Sequence, residues 1–472
     1  MASTVPPSIL PTSALGVGLD ALVAASAAVH AGIADARATF EYSLSFPCEQ
    51  HAFMVLAGLE PLLDALERFK MKPDELAWLE ASGAIDADTR RRLGEARFSC
   101  DVDAAPEGSV VFADEPVLTV EGPFWQAQLV SALIESALGE ATLVATKIAR
   151  AVLAADGAAI IETSAASSRR LGGAPLLARA AFIAGAHATT SALAAKRYGL
   201  PVRAIEPARF TATGAPFDAW LSAAKGAAIV RLEGRAARDA IGELVRAVRA
   251  RAYRGEAWAD AQVGVLVSAA SAVEHARDVR LAFEDAGLRE PAIIVEGAQD
   301  ASGIFELRRQ TVPFAAFCVT SHVPFEAASL SRYALVALEE GGAWSPRRGS
   351  GADPGRKVLL RYVDAEGCPI ADVIHLANER HLRIKDGRFV DRASGALIAL
   401  RGASSSAPLL ANVMRQGRRV ASPEAAPAIR ARAERSLASI APSHRRLATP
   451  ARYPVGITSG VAALRAELLS PS

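Results

Sequence analysis

The sequence predicts an α/β fold: an irregular α/β barrel, with an α+β domain before it and a C-terminal extension after it. Three observations carry this. From about residue 145 short apolar runs alternate with helical stretches, the grammar of parallel strands joined by helices. The alternation repeats often enough to favour a closed barrel over an open sheet. Before and after it, the strand signals are instead hairpin-like, set among separate helices.

In chain order, residues 1–22 read as a loose tail and 23–142 as the α+β domain. The barrel then covers 143–345 and the extension 346–472. In "HAFMVLAGLEPLLDALERF" an apolar run passes through Gly58 into an amphipathic helix with leucines at 59, 62, 63 and 66. "GSVVFADEPVLTVEGPFWQAQLVSALIESAL" reads as two short strands around Glu115-Pro116, then Gly122-Pro123 opening a long helix. The candidate barrel strands are Ala158–Glu162, Val202–Ile205, Ala228–Leu232, Val263–Val267, Ala292–Val295 and Ala315–Val319. Helical stretches such as "ARDAIGELVRAVRARAY" and "VEHARDVRLAFEDAG" lie between them. In "RIKDGRFVDRASGALIAL", Lys385-Asp386-Gly387 marks a turn between β-prone arms.

Composition narrows the function. At 472 residues the chain holds two or three domains, and 51% hydrophobic against 22% charged residues supports a large core. A net charge of +1 gives no footprint for nucleic acid, so no nucleic-acid partner is expected. No apolar run is long enough to span a bilayer, and no signal-peptide pattern opens the chain. Cys48, Cys100, Cys318 and Cys368 lie far apart with no CxxC pair, which reads as reduced thiols in a cytoplasmic protein.

In a parallel barrel the chemistry sits where strands end. After the first candidate strand comes "SSRRLGGAPLLARAAFIAGAHATTSALAAKRYG", where adjacent arginines precede a Thr189-Thr190-Ser191 run. Basic groups and small hydroxyls around a glycine-containing turn suit an anion. The alternative is that an arginine pairs with a core carboxylate while the hydroxyls cap the next helix. Glu162, Glu206, Arg231, Glu233 and Glu296 are further strand-end charges, as fit for a ligand site as for pairing with neighbouring arginines.

These segments, in this order, resemble the nicotinate phosphoribosyltransferase family, whose barrel has the type II phosphoribosyltransferase fold. The resemblance runs from about residue 20 to 470 and includes "FMVLAGLEPLLDALERF", "EPVLTVEGPFWQAQLVSALI", "DPGRKVLLRY" and "HRRLATPARYPVGITSGVAALRAELL". It implies that the C-terminal extension packs back on the N-terminal domain. It further implies transfer of phosphoribose from 5-phosphoribosyl-1-pyrophosphate to nicotinate in NAD synthesis, with Mg²⁺, coupled ATP hydrolysis and a homodimer. By position it assigns substrate contacts to Arg169, Arg170, Thr190, Ser191, Ser268, Gly297, Thr320, Ser321 and Lys357. Glu206, Glu233 and Glu296 are the candidate metal ligands.

The departures from the family pattern fall on the chemistry. The family's phosphorylated histidine corresponds to Ala208 in "IEPARFTATG", and a methyl group accepts no phosphoryl group. The Arg-x-Asp-Ser-Gly-Asp strand end reads "VGVLVSAASAVEH", where Ser268 survives while Val265, Val267 and Ala270 replace the charged residues. A Ser-Gly-Asp-Leu-Asp pattern reads "EGAQDAS", keeping Gly297 between Glu296 and Asp300. The glycine-rich phosphate loop reads "TSHVPFE", offering Thr320, Ser321 and His322. The N-terminal signature keeps Asp20 and Leu22 but loses its aromatic residue. Three functions are therefore open: the parent activity, a catalytically inactive or repurposed paralogue serving as a binding or partner subunit, and a phosphoribosyltransferase with another acceptor.

Overall fold

A computed structural model describes residues 10, 16, 18–45, 52–163, 173–224, 228–232, 237–254, 263–298, 300–310, 312–320, 331–347, 351–380 and 387–469. The chain divides into two compact units. One comprises residues 1–143 and 323–472, and the other residues 144–322.

The second unit is the barrel. Seven parallel strands lie in the spatial order Ala188–Thr189, Ala159–Glu162, Ala316–Val319, Ala292–Glu296, Gly264–Ser268, Ala228–Arg231 and Ala204–Ile205. Its two edges meet. Thr189 bridges Val202 in parallel, its N–H donating to the Pro201 carbonyl while the Arg203 N–H donates to the Thr189 carbonyl. The sheet thus closes into a ring, and both edges lose their unpaired backbone groups.

The apolar runs read as strands because both faces are buried. Ile161, Ile229, Leu266, Ile294, Ala316 and Cys318 form one cluster, drawing side chains from five strands, so they fill the interior of the ring. Alternate residues such as Val230, Val265, Val267, Ile293, Val295 and Phe317 are buried on the other face. Each of the six sequence-read strands is present. The seventh, Ala188–Thr189, is only two residues long and falls inside the hydroxyl run, too short for any periodicity to mark.

The first unit holds two larger sheets. A seven-stranded sheet has Arg37–Leu44 between Ser331–Glu340 and Pro116–Pro123, antiparallel to both. A six-stranded sheet is built on Lys357–Val363 and Pro369–Leu376. Residues on both sides of the barrel therefore pair in one sheet, since Ala411–Arg415 lies against Asp101–Ala104. The helix Leu19–His30 begins within the stretch read as a tail, with Leu22 and Ala25 buried in the core. Gly58, at φ +97°, turns the apolar run into the helix Leu59–Glu67, and a Cβ there would stand 2.1 Å from the Ala137 carbonyl oxygen. The helix expected after Pro123 is two segments, Phe124–Leu129 and Ser131–Ala155. The hairpin near the C-terminus pairs Arg388–Asp391 with Leu397–Ala399. Its chain reverses at residues 392–396, where the Asp391 N–H donates to the Ala396 carbonyl, later than the Lys385-Asp386-Gly387 turn expected from the sequence, of which Lys385 and Asp386 lie outside the described residues.

Candidate functional site

Because side chains alternate along a strand, the next inward-facing positions beyond the interior cluster are Thr163, Arg231, Ser268, Glu296 and Thr320. They stand at the C-terminal ends of five strands, so the apolar interior gives way to a polar layer at one end of the ring. Arg231 and Glu296 dominate that layer. The Arg231 Nη1 and Nη2 groups both donate to the Glu296 carboxylate, the second at 3.4 Å. The Arg231 Nε donates to the Glu206 carbonyl at 3.1 Å. The Arg231 side chain is 12% exposed and that of Glu296 41%, so the carboxylate opens outward while the guanidinium is sheltered. Ser268 lies level with Glu296 in the ladder between their strands.

Glu206 is spent internally. One oxygen of its fully buried carboxylate accepts from the Thr211 hydroxyl at 3.1 Å and the other from the Arg231 backbone N–H at 2.9 Å. Gly297 follows Glu296 at φ +97°, a conformation that suits glycine and turns the chain off the strand. Ala208 opens the short helix Ala208–Thr211.

The hydroxyl run divides its labour. Thr189 donates to the buried Glu162 carboxylate at 2.5 Å and accepts from the Ser191 N–H at 3.0 Å. Ser191 caps the helix Ala192–Tyr198, its hydroxyl accepting from the Ala194 N–H at 3.3 Å. The Thr190 hydroxyl is buried and meets no hydrogen-bond partner among the described residues. A buried polar atom without a partner costs about 1–3 kcal/mol, which a ligand can recover.

Lys147 is a candidate site residue that the sequence reading did not single out. It lies on the helix before the first barrel strand, and its ammonium donates to the Thr320 carbonyl at 2.9 Å. Burial pulls the Lys147 and Arg150 charges down from their ordinary ranges, and Asp300 opposes this for both. Asp300 itself is held low, chiefly by the Gly303 N–H at the helix it caps. The signal was slight: two cations three residues apart in the second half of the helix, which otherwise carries no charge after Glu140.

Lys357 belongs to the other unit, where its ammonium stands 3.0 Å from Glu41 with both side chains buried. Arg169, Arg170, Ser321, His322 and Glu233 lie outside the described residues. Among those described, no group of three His, Cys, Asp or Glu side chains could hold a metal ion. Glu206 is fully engaged and Glu296 holds Arg231, so the donor set does not fit a protein-made metal centre. What the arrangement supplies is two fixed cations, Arg231 and Lys147, with the strand-end hydroxyls Thr163, Ser268 and Thr320.

The comparisons with known proteins converge. Residues 20–137 match the family model described as nicotinate phosphoribosyltransferase N-terminal domain, and residues 356–465 match the C-terminal domain model of the same family. Nicotinate phosphoribosyltransferase pncB1 of Mycobacterium tuberculosis is 30% identical over 376 residues, covering 77% of this chain and 82% of the relative. The pncB2 protein of that organism is 26% identical over 66% of this chain and 68% of its own length. Among solved structures, human nicotinic acid phosphoribosyltransferase superposes with a TM-score of 0.78 at 21% identity, covering 96% of this chain and 99% of the other. The nicotinate-nucleotide pyrophosphorylase of Pyrococcus furiosus gives 0.66 at 19% identity, covering 90% and 95%. Among the described residues no helix is long and apolar enough to cross a membrane.

Proposed function

The chain belongs to the nicotinate phosphoribosyltransferase family, and from that premise we propose that it transfers phosphoribose from 5-phosphoribosyl-1-pyrophosphate to the ring nitrogen of nicotinate, releasing pyrophosphate and nicotinate mononucleotide. One observation carries the proposal: five strands of the closed ring end in an inward polar layer, Thr163, Arg231, Ser268, Glu296 and Thr320, above an apolar interior.

The reaction breaks the C1–oxygen bond of the ribose while charge builds on the departing diphosphate. Cations fixed before the event stabilise that charge, each contributing about 2–4 kcal/mol. Arg231, aimed by Glu296, and Lys147, anchored on the Thr320 carbonyl, take this role. Ser268 and Thr320 offer hydroxyls to the phosphoribose. The unpartnered Thr190 hydroxyl serves the pyridine ring. Arg169 and Arg170 receive the nicotinate carboxylate by family position, and bidentate recognition of a carboxylate suits arginine. Ser321 adds a phosphate donor by family position, and Gly297 frees the backbone turn after Glu296. Magnesium, implied by the family, enters with the substrate's phosphates rather than through a protein cage. ATP does not drive the reaction through residue 208, because Ala208 cannot carry a phosphoryl group. A homodimer in the cytoplasm completes this reading on family grounds.

The test mixes purified chain with magnesium phosphoribosyl pyrophosphate and labelled nicotinate, with and without ATP, and separates the products by chromatography. Nicotinate mononucleotide appears in both arms at comparable rates. Absence of product, with no binding of phosphoribosyl pyrophosphate, overturns the proposal.

A further inference from the structure

Four arginines surround one cavity of about 320 Å³ in the unit formed by residues 1–143 and 323–472. They are Arg332, Arg392, Arg452 and Arg465, and they come from separate stretches of the chain. Each has a carboxylate neighbour, but the carboxylates are fewer. Arg332 pairs with Asp114, and Arg452 with Asp391 at 3.2 Å. Arg392 and Arg465 share a single buried carboxylate, Asp353, at 2.7 and 3.7 Å. Four positive charges against three negative ones leave the cluster one charge in excess.

The donors are also incompletely used. A guanidinium carries several N–H groups in a planar fork. The Arg332 Nε is buried and has no hydrogen-bond partner among the described residues, and Arg465 stands 3.7 Å from Asp353. Asp114, which lines the same cavity, sits at φ +66°, a left-handed conformation that a non-glycine residue adopts at a cost of about 1–2 kcal/mol. Gathering like charges is itself unfavourable, more so where solvent is partly excluded. An occupant bearing negative charge removes the excess, and guanidinium forks match phosphate oxygens in pairs. The opening is not wholly polar, since the stacked rings of Phe112 and Tyr453, 3.6 Å apart, form part of the wall.

We propose that this arginine-lined cavity is a second anion site, recognising a diphosphate group, separate in sequence and in unit from the barrel mouth. The diphosphate comes either as free pyrophosphate or as part of a nucleotide such as ADP. The site does not rest on the transferase reading, which assigns a role to none of its residues.

Hydrogen–deuterium exchange on the full chain tests it. Pyrophosphate and ADP are added separately, and exchange is followed in peptides spanning residues 388–394 and 449–456, which carry Arg392 and Arg452. Protection by both ligands, or by pyrophosphate alone, assigns the site to the diphosphate itself. Protection by ADP alone assigns it to a nucleotide diphosphate. The double variant Arg452→Gln/Arg465→Gln removes two part-exposed side chains, while Arg392 still pairs with Asp353 and the Ser394 hydroxyl still donates to Asp391. It weakens the ligand concentration dependence by about tenfold or more, with the thermal unfolding midpoint nearly unchanged. No protection by either ligand, or undiminished protection in the double variant, overturns the proposal. Peptides spanning 159–163 and 292–297 report the barrel mouth independently, so a failed transferase reading leaves this readout intact.

Discussion

Two arginine–carboxylate clusters in this chain use the same chemical groups to opposite ends. In the first unit, Arg361 donates through Nε and Nη2 to Asp372, at 3.0 and 2.5 Å, and through Nη1 to the Val110 carbonyl at 2.9 Å. Asp372 also accepts from the Tyr453 hydroxyl at 3.0 Å, and Phe112 lies beneath the guanidinium. Both Asp372 and its acidic neighbour Glu115 are fully buried. In the barrel, Arg231 is equally sheltered, but its partner Glu296 is 41% exposed at a strand end. Each Arg361 nitrogen in the first cluster donates to a partner, and both carboxylates there are shut off from water. The second keeps one partner facing water, where a substrate can compete for it. What separates the two ion pairs is closure, not residue type.

The sharpest break in that comparison is Asp372→Ala. Removing a buried partner strands the Arg361 charge, and such losses run to about 3–5 kcal/mol. The unfolding midpoint in urea should fall steeply. If the variant is nearly as stable as the parent chain, the first cluster is not closed and the contrast fails.

At the barrel mouth the expected effects reverse. Arg231→Gln should lower kcat/KM for phosphoribosyl pyrophosphate about a hundredfold, the scale of losing one preorganised donor to transition-state charge. Stability should shift by less than about 1 kcal/mol, because the abandoned Glu296 remains hydrated. A large stability loss with normal activity would place Arg231 with Arg361.

Glu115 gives the comparison a pH axis. Burial, then the neighbouring Asp372 charge, pushes its carboxyl well above the ordinary 4.5, against the pull of Arg361. The folded state therefore holds a proton that the unfolded state has released above about pH 4.5. Its contribution to stability is fully present below that pH and is lost as pH rises through the folded-state value. Glu115→Gln should flatten this dependence, by at most about 1.4 kcal/mol per pH unit for one proton. Urea midpoints from about pH 5 to about pH 9 check it, and parallel curves for parent and variant would remove Glu115 as the titrating group.

How far the sequence alone reached follows from the same physics. Strands such as Val263–Val267 were legible because burial on both faces writes an unbroken apolar run, and Gly58 because only glycine fits its turn. The two-residue strand Ala188–Thr189 was hidden, since two residues carry no period. Arg231 and Glu296 were visible as strand-end charges, but their pairing spans 65 positions and rests on strands meeting in space. Lys147 was not singled out at all, because its contact with the Thr320 carbonyl spans 173 positions and exists only in space.

The smallest effects decide the hydroxyl run. Ser191 is a helix cap, so Ser191→Ala should cost about 1 kcal/mol of stability, and Ser191→Gly only a few tenths. Neither should move KM for nicotinate. Thr190 stands one residue earlier with a buried, unpartnered hydroxyl, so Thr190→Val should leave stability level or slightly higher. Its cost should instead appear as a rise in KM for nicotinate of about fivefold to tenfold, the scale of one neutral hydrogen bond. If both variants behave as caps, the ring-facing role leaves Thr190, and the mouth of the barrel recognises its acceptor through charge alone.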